Sequence, residues 1–320
     1  MKSTRFFKAA LASLVVGGLF AGSARAELFS EIFDSAGASN NFLVTQIPGS
    51  VDTITFGYDY SANLIPEAPG SASLPGVFAA TRGLFIAAND PPLPATTGAI
   101  NGINVTAASG GVAINFAQDI TMRFDMWLNL GSIVTSSTEQ ALFGINTDGT
   151  GVNSRTGNTQ TGADGVWYHI ATEGGYGATS TTNNSRDYVN YINNTAPASG
   201  RLDNGQAPFL TLFPSSLPVA GVPANSWVSV EISEIGGNVR MSMNGTTVFD
   251  VANTGPTSGS VFLGYQDPFS GSLSGPNAFV VFDNLSVSAV PEPSSIALVG
   301  LGVVGVVARR RQLSNRKLVS

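Results

Sequence analysis

The chain has 320 residues, 43% of them hydrophobic, and no cysteine, so it can bury a sizeable core but holds neither disulfides nor a thiolate metal site. Between residues 27 and 290 it carries six arginines, no lysine and twenty acidic residues, a net charge of −14. That balance repels phosphate backbones and anionic lipid, which argues against nucleic acid as a partner, and it attracts cations.

Residues 1–26 have the three parts of a secretory signal peptide. Lys2, Arg5 and Lys8 open it, an apolar stretch fills 9–21, and Ala24-Arg25-Ala26 supplies a small-x-small cleavage site. A body over 27–289 follows, rich in short strands. Over 51–60, Ile54, Phe56, Tyr58 and Tyr60 alternate with polar residues, which predicts a strand with those four on one face. Over 120–130, Ile120, Met122, Phe124, Met126, Leu128 and Leu130 share a face, with Arg123, Asp125 and Trp127 opposite. This is the longest alternating match in the chain.

Asn146-Thr147-Asp148-Gly149-Thr150-Gly151 has the look of the opening of a calcium loop. It lacks the glutamate required at the twelfth position, here Gly157, and reads as a turn that uses Asp and Gly for their backbone habits. The one histidine, His169, sits in the strand pattern over 166–170 and reads as a packed or exposed strand residue. Tyr176 lies in the glycine-rich loop over 174–177.

Residues 227–251 predict a meander. A strand over 227–235 turns at Gly236-Gly237, returns over 239–243, turns at Asn244-Gly245 and continues over 246–251. Asn-Gly suits a two-residue hairpin because both central positions take positive φ. Strands over 261–265 and 279–287 complete the body. The stretches 66–76, 90–98 and parts of 196–223 read as loops, and the body has no sustained 3.6-residue period, so helices are minor.

The C-terminal segment 290–320 is a second tripartite signal. Pro291-Glu292-Pro293 is followed by an apolar run over 296–308 and by Arg309-Arg310-Arg311. Two prolines around one glutamate keep the first part extended and accessible. Counting Ser294 and Ser295, the apolar stretch reaches roughly 22 Å as a helix, short of a hydrocarbon core of about 30 Å. The arginines keep the far end cytoplasmic.

This tail resembles the PEP-CTERM sorting signal of Gram-negative bacteria that make extracellular polysaccharide. The resemblance implies an exosortase, an integral-membrane transpeptidase-like enzyme, as partner. It makes Pro291, Glu292 and Pro293 the recognition motif and Arg309, Arg310 and Arg311 the stop signal. The tail then anchors the chain transiently in the membrane until it is processed near Pro-Glu-Pro, which implies a cell-surface or extracellular destination.

The strand pattern gives an all-β body, a single antiparallel β-sandwich or jelly roll, flanked by the signal peptide and the anchoring helix. It resembles the concanavalin-like (laminin-G-like) sandwich. The residues that carry the likeness are Met122-Arg123-Phe124-Asp125-Met126-Trp127, the Asn244-Gly245 hairpin, Val261-Phe262-Leu263-Gly264-Tyr265 and Phe282-Asp283-Asn284-Leu285. Related sandwiches include glycosidases, but the Glu-x-Asp-x-x-Glu motif of the family 16 glucanases is absent. Glu231 and Glu234, three apart on a strand, point to opposite faces, and Asp119 and Asp125 lie too far apart along theirs to cooperate. No nucleophile elbow, phosphate loop or His/Cys cluster is present, so the expectation is a protein that is not an enzyme. Calcium is the one cofactor the sequence suggests, at Asp34 and Asp283, because the terminal strands of such sandwiches often pair. Polysaccharide is the other candidate partner, with Tyr176 as the candidate contact and Trp127 and Trp167 as rings that either stack on sugar or pack in the core.

Overall fold

The structure, a computed structural model, describes residues 26–46, 53–70, 81–88, 99–106, 111–130, 139–156, 159–161, 164–171, 187–193, 195–196, 198–214, 220–268 and 278–290. Tyr176, Ala24, the Pro-Glu-Pro motif, the apolar run and the three arginines lie outside these. The chain divides into a unit over 28–288 and a second unit joining the two ends. Of the second unit only residues 26, 27, 289 and 290 are described, and there Ala289 N donates to Ala26 O at 2.8 Å.

Among the described residues, seventeen strands run along the chain: β1 (Glu27–Glu31), β2 (Phe42–Gln46), β3 (Thr53–Asp59), β4 (Arg82–Ala87), β5 (Ala99–Val105), β6 (Ile120–Asn129), β7 (Gln140–Thr147), β8 (Ser154–Thr156), β9 (Thr159–Thr161), β10 (Val166–Ala171), β11 (Tyr188–Ile192), β12 (Arg201–Leu202), β13 (Trp227–Ile235), β14 (Asn238–Met243), β15 (Thr246–Ala252), β16 (Ser260–Asp267) and β17 (Phe279–Ala289). The first sheet has the order β15-β14-β13-β6-β17-β4-β3, with β1 also paired to β17. The second has the order β12-β11-β10-β7-β16-β5-β2, and β8 and β9 form a small separate hairpin. Among the described residues one α-helix, α1 (Ala207–Leu212), lies within 196–223, parts of which read as loop. Its Phe209 ring stacks on Tyr188 at 3.7 Å, which holds six residues helical without a side-chain cap.

The two sheets face each other across one large core. Phe124 and Phe282 from the first sheet meet Phe143 and Tyr168 from the second, and the Phe124 and Phe143 rings cross the interface edge to face at 5.0 Å. The alternating set of β6 is wholly buried there, as its period requires. The Gly236-Gly237 and Asn244-Gly245 turns form as predicted, with all four residues at positive φ.

The face expected for β3 is corrected. Ile54 and Phe56 pack on the core, but Gly57, at φ +68°, and a register shift between Thr55 and Tyr58 reverse the parity. Tyr58 and Tyr60 therefore lie on the outer face of the first sheet, with Phe85 and Trp227. A β-bulge adds one residue to one strand, and everything beyond it changes side.

The outer faces of the two sheets differ. That of the first carries Arg123, Trp127, Trp227 and Glu231, all half-buried, and the segment 60–70 crosses part of it. That of the second is covered. Ile100, Leu142, Trp167, Val189, Tyr191 and Phe262 are buried in a second apolar cluster with Val152 and Ala196. Gly102 and Gly264 make room for that cover, since a β-carbon at Gly102 would sit 2.6 Å from Val152 Cγ2.

Candidate functional site

Two places in the body bring carboxylates near one another. The first is the outer face of the first sheet, under the segment 60–70. Asp125 on β6 and Asp283 on β17 both point outward, because Phe124, Met126 and Phe282 fill the core side. Asp34 follows β1, which pairs with β17, so the strand pairing brings the two sequence-predicted residues into one neighbourhood. Phe33 (φ 55°) and Asn284 (φ 52°) take left-handed backbone beside them. A bulky residue such as Phe holds that conformation only when its surroundings impose it, and the Phe33 ring stacks on Phe42 at 5.4 Å.

Donors surround this cluster. Tyr60 Oη donates to Asp283 Oδ2 at 3.0 Å and Asn284 N to Asp283 Oδ1 at 2.7 Å. Asp125 accepts from Ser229 Oγ (2.6 Å), Gly70 N (2.7 Å) and Asn284 Nδ2 (3.0 Å). Burial pushes Asp283 up to about 8 against those hydrogen bonds, and the negative charges of Asp125 and Asp34 add to the rise. Burial likewise raises Asp34, whose Oδ1 is buried without a hydrogen-bond partner. For a hard cation the fit is poor: among the described residues no group of three or more His, Cys, Asp or Glu could hold a metal ion, and although Asp34 has an unmatched oxygen, both oxygens of Asp283 already accept.

The second place is where β7 ends and β10 and β16 begin. Asn146, Asp148 and Asp164 line a cleft of about 270 Å³ there. Asp148 Oδ1 accepts from Thr150 N at 2.8 Å, so the 146–151 turn forms as its Asp and Gly suggest. Asp148 N donates to Asp164, sixteen positions on. No spacing rule connects those two carboxylates; only the β8–β9 hairpin between them brings them together.

The other candidates fall out as packing. Trp167 is fully buried, stacks on Tyr191 at 3.9 Å and donates from Nε1 to Asn193 O at 3.0 Å. His169 is buried beside it, with Tyr191 Oη 3.1 Å from Nδ1. Trp127 keeps partial exposure and meets Trp227 edge to face at 5.8 Å, a pair no sequence spacing indicated. Glu231 pairs with Arg123 at 2.6 Å on the outer face, whereas Glu234 is buried and accepts from Asn146 and Asn253.

These features define the class of scaffold, an all-β antiparallel sandwich. A family model, the PEP-CTERM protein-sorting motif, matches residues 289–312, so the chain carries that sorting motif directly after β17. Comparison with curated proteins gives no match. Among solved structures, the chain is similar to a Bacillus subtilis protein of unknown function with a galectin-like fold, at 11% identity over 82% of this chain and 96% of that one, TM-score 0.42. It is also similar to carbohydrate-binding module CBM66 from Bacillus subtilis, at 11% identity over 77% and 95%, TM-score 0.36. The metal-free carbohydrate recognition domain of Emp46p is similar at 6% identity over 84% and 97%, TM-score 0.42.

Proposed function

We propose that this chain is an exported cell-surface or extracellular-matrix protein, sorted by an exosortase acting at Pro291-Glu292-Pro293, with a sandwich that is not an enzyme. The observation that carries the proposal is one of placement: the last described strand ends at Ala289 and the sorting-motif match begins at that same residue. The sandwich is then the cargo, and the tail with its Arg309, Arg310 and Arg311 stop signal is the address, held in the membrane until it is cut. The signal-like segment 1–26 supports the same route. The engagement of Glu231 with Arg123, of Glu234 with two asparagines and of His169 with Tyr191 supports a non-catalytic body.

Intact mass and fractionation of the protein from its producing cell test this. The expected product lacks residues 1–26 and the tail beyond Pro293 and leaves the cell, while Glu292→Ala keeps the tail and stays in the membrane fraction. A full-length chain dissolved in the cytosol overturns the proposal.

A second reading is binding of extracellular polysaccharide. It is favoured by the Trp127–Trp227 pair, which stays partly exposed on the outer face of the first sheet, since aromatic rings stack on apolar sugar faces. Glycan-array binding that Trp227→Ala abolishes supports that contact, and loss in Tyr176→Ala extends it to the 174–177 loop. Calcium at Asp34 and Asp283 belongs to the same reading, since a cation relieves the repulsion there. A calcium-dependent rise in melting temperature that Asp283→Ala removes supports it.

A further inference from the structure

We propose that removal of the leader over 1–26 must come before the tail is cut, because Ala26 helps to hold the chain that leads into Pro291-Glu292-Pro293. The inference rests on the sorting route proposed above and adds an order to it. The reaction that supplies the exosortase with its substrate is then hydrolysis of the Ala26–Glu27 peptide bond.

Two segments far apart in sequence meet here. β1 begins at Glu27 and pairs with β17, which runs to Ala289. One residue outside β1, the Ala26 carbonyl accepts from Ala289 N at 2.8 Å. β4 is registered on β17 at Val280–Phe282, well short of that end. Val287 is the last fully buried side chain among the described residues, and Ser288, Ala289 and Val290 are half-buried. Beyond Val287, backbone pairing therefore holds the strand more than core packing does. Ala289 and Val290 carry the last backbone N–H groups before Pro291, and neither Pro291 nor Pro293 has one. The ladder does not resume at either proline, so the Ala26 acceptor closes this edge.

The acceptor is also the residue that the leader takes away. Hydrolysis adds water across the Ala26–Glu27 bond: Ala26 departs as a carboxylate, and Glu27 keeps the nitrogen as a free amine. At neutral pH that amine is mostly protonated, and an ammonium donates without accepting. Ala289 N thus loses its partner and gains none from the new terminus. An enzyme that cuts a chain takes it extended, with backbone groups free, and reaches a segment paired in a sheet only through local opening. The precursor keeps the approach to the sorting motif tied, and leader removal releases it.

The test follows the full chain in its producing cell by intact mass, so that each molecule is read at both ends. Wild type is expected to lack residues 1–26 and the tail. Ala24→Asp puts a charge in the small-x-small site and leaves Ala26 in place. Its leader-bearing molecules are expected to keep the tail, with tail loss slowed about fivefold or more. Adding Ala289→Pro, which deletes the donor N–H, is expected to restore tail loss to those molecules. Tail loss at the wild-type rate from leader-bearing Ala24→Asp overturns the order and leaves the sorting route standing, and so does a tail that stays uncut in the double variant. A wild type that never loses its tail overturns the sorting route and the order with it. Should Ala289→Pro by itself prevent tail loss, hydrogen exchange in detergent decides, comparing the full chain with one that begins at Glu27. Exchange over 286–290 is expected to be about fivefold faster in the shorter chain, and equal exchange overturns the proposal.

Discussion

Tyr60 Oη donates to Asp283 Oδ2 at 3.0 Å and joins residues 223 positions apart in sequence. The same hydroxyl accepts from Ala68 N at 3.3 Å, while Trp227 Nε1 donates to Pro66 O at 2.6 Å and Gly70 N to Asp125 at 2.7 Å. These contacts fasten the segment 60–70 to the outer face of the first sheet. Tyr60→Phe keeps the ring against Trp227 and strips the hydroxyl, leaving buried groups unmatched. The expected cost is about 1–3 kcal/mol, read as a lower midpoint of urea unfolding. An unchanged midpoint would mean that packing alone holds the segment.

Stability should depend on pH through Asp283, whose folded value of about 8 lies far above the ordinary carboxylate range. Between roughly pH 4 and pH 8 the folded chain holds a proton there that the unfolded chain has released. This contribution is therefore full in acid and declines as pH rises through that window. In calcium-free buffer, the unfolding free energy is expected to fall from pH 5 to pH 8.5, and Asp283→Asn to flatten the slope. A wild-type profile as flat as that of the variant would refute this.

Glu231 and Glu234 should respond unequally. Glu231 meets Arg123 at a surface where both side chains are about two-fifths exposed, so Glu231→Ala is expected to cost less than about 1 kcal/mol. Glu234 is buried and fixes both Asn146 and Asn253. Glu234→Ala is expected to cost about 1–3 kcal/mol, since it takes one acceptor from the buried amide of Asn146 and one from the half-buried amide of Asn253, each of which keeps Pro256 O, with Glu234→Gln intermediate. Equal shifts in the two alanine melts would contradict the assignment of faces.

Gly144 is expected to tolerate nothing larger. A β-carbon there would sit 2.6 Å from Phe262 Cε1, 2.7 Å from Val166 O and 2.8 Å from Trp167 Cβ. Gly144→Ala should cost about 2–3 kcal/mol by overpacking, measured by chemical denaturation. A near-neutral result would show that the cover over the second sheet yields easily.

Much of the first sheet was legible because one of its faces is partly open. On β6 the buried positions alternate with Arg123, Trp127 and Asn129, and on β13 to β15 the Gly236-Gly237 and Asn244-Gly245 turns punctuate the strands. The second sheet was mostly silent. β5, β7, β10, β11 and β16 are buried at every residue, so no period of two marks them, and β5, β7 and β11 escaped notice. The reversal at Gly57 was equally invisible, since a bulge leaves the sequence alternation intact while changing its meaning.

Local rules thus decided what depends on neighbours in the chain. The strand class, the hairpin turns and the C-terminal sorting motif follow from periodicity, turn chemistry and segment composition, and the 289–312 match agrees for the tail. The fold alone decided which distant groups meet. Asp34 reaches the vicinity of Asp283 because β1 pairs with β17, and Asp164 reaches Asp148 because a hairpin folds back between them. Electrostatic coupling and hydrogen bonding act over a few ångströms of space, and strand order, which no local pattern encodes, sets those distances.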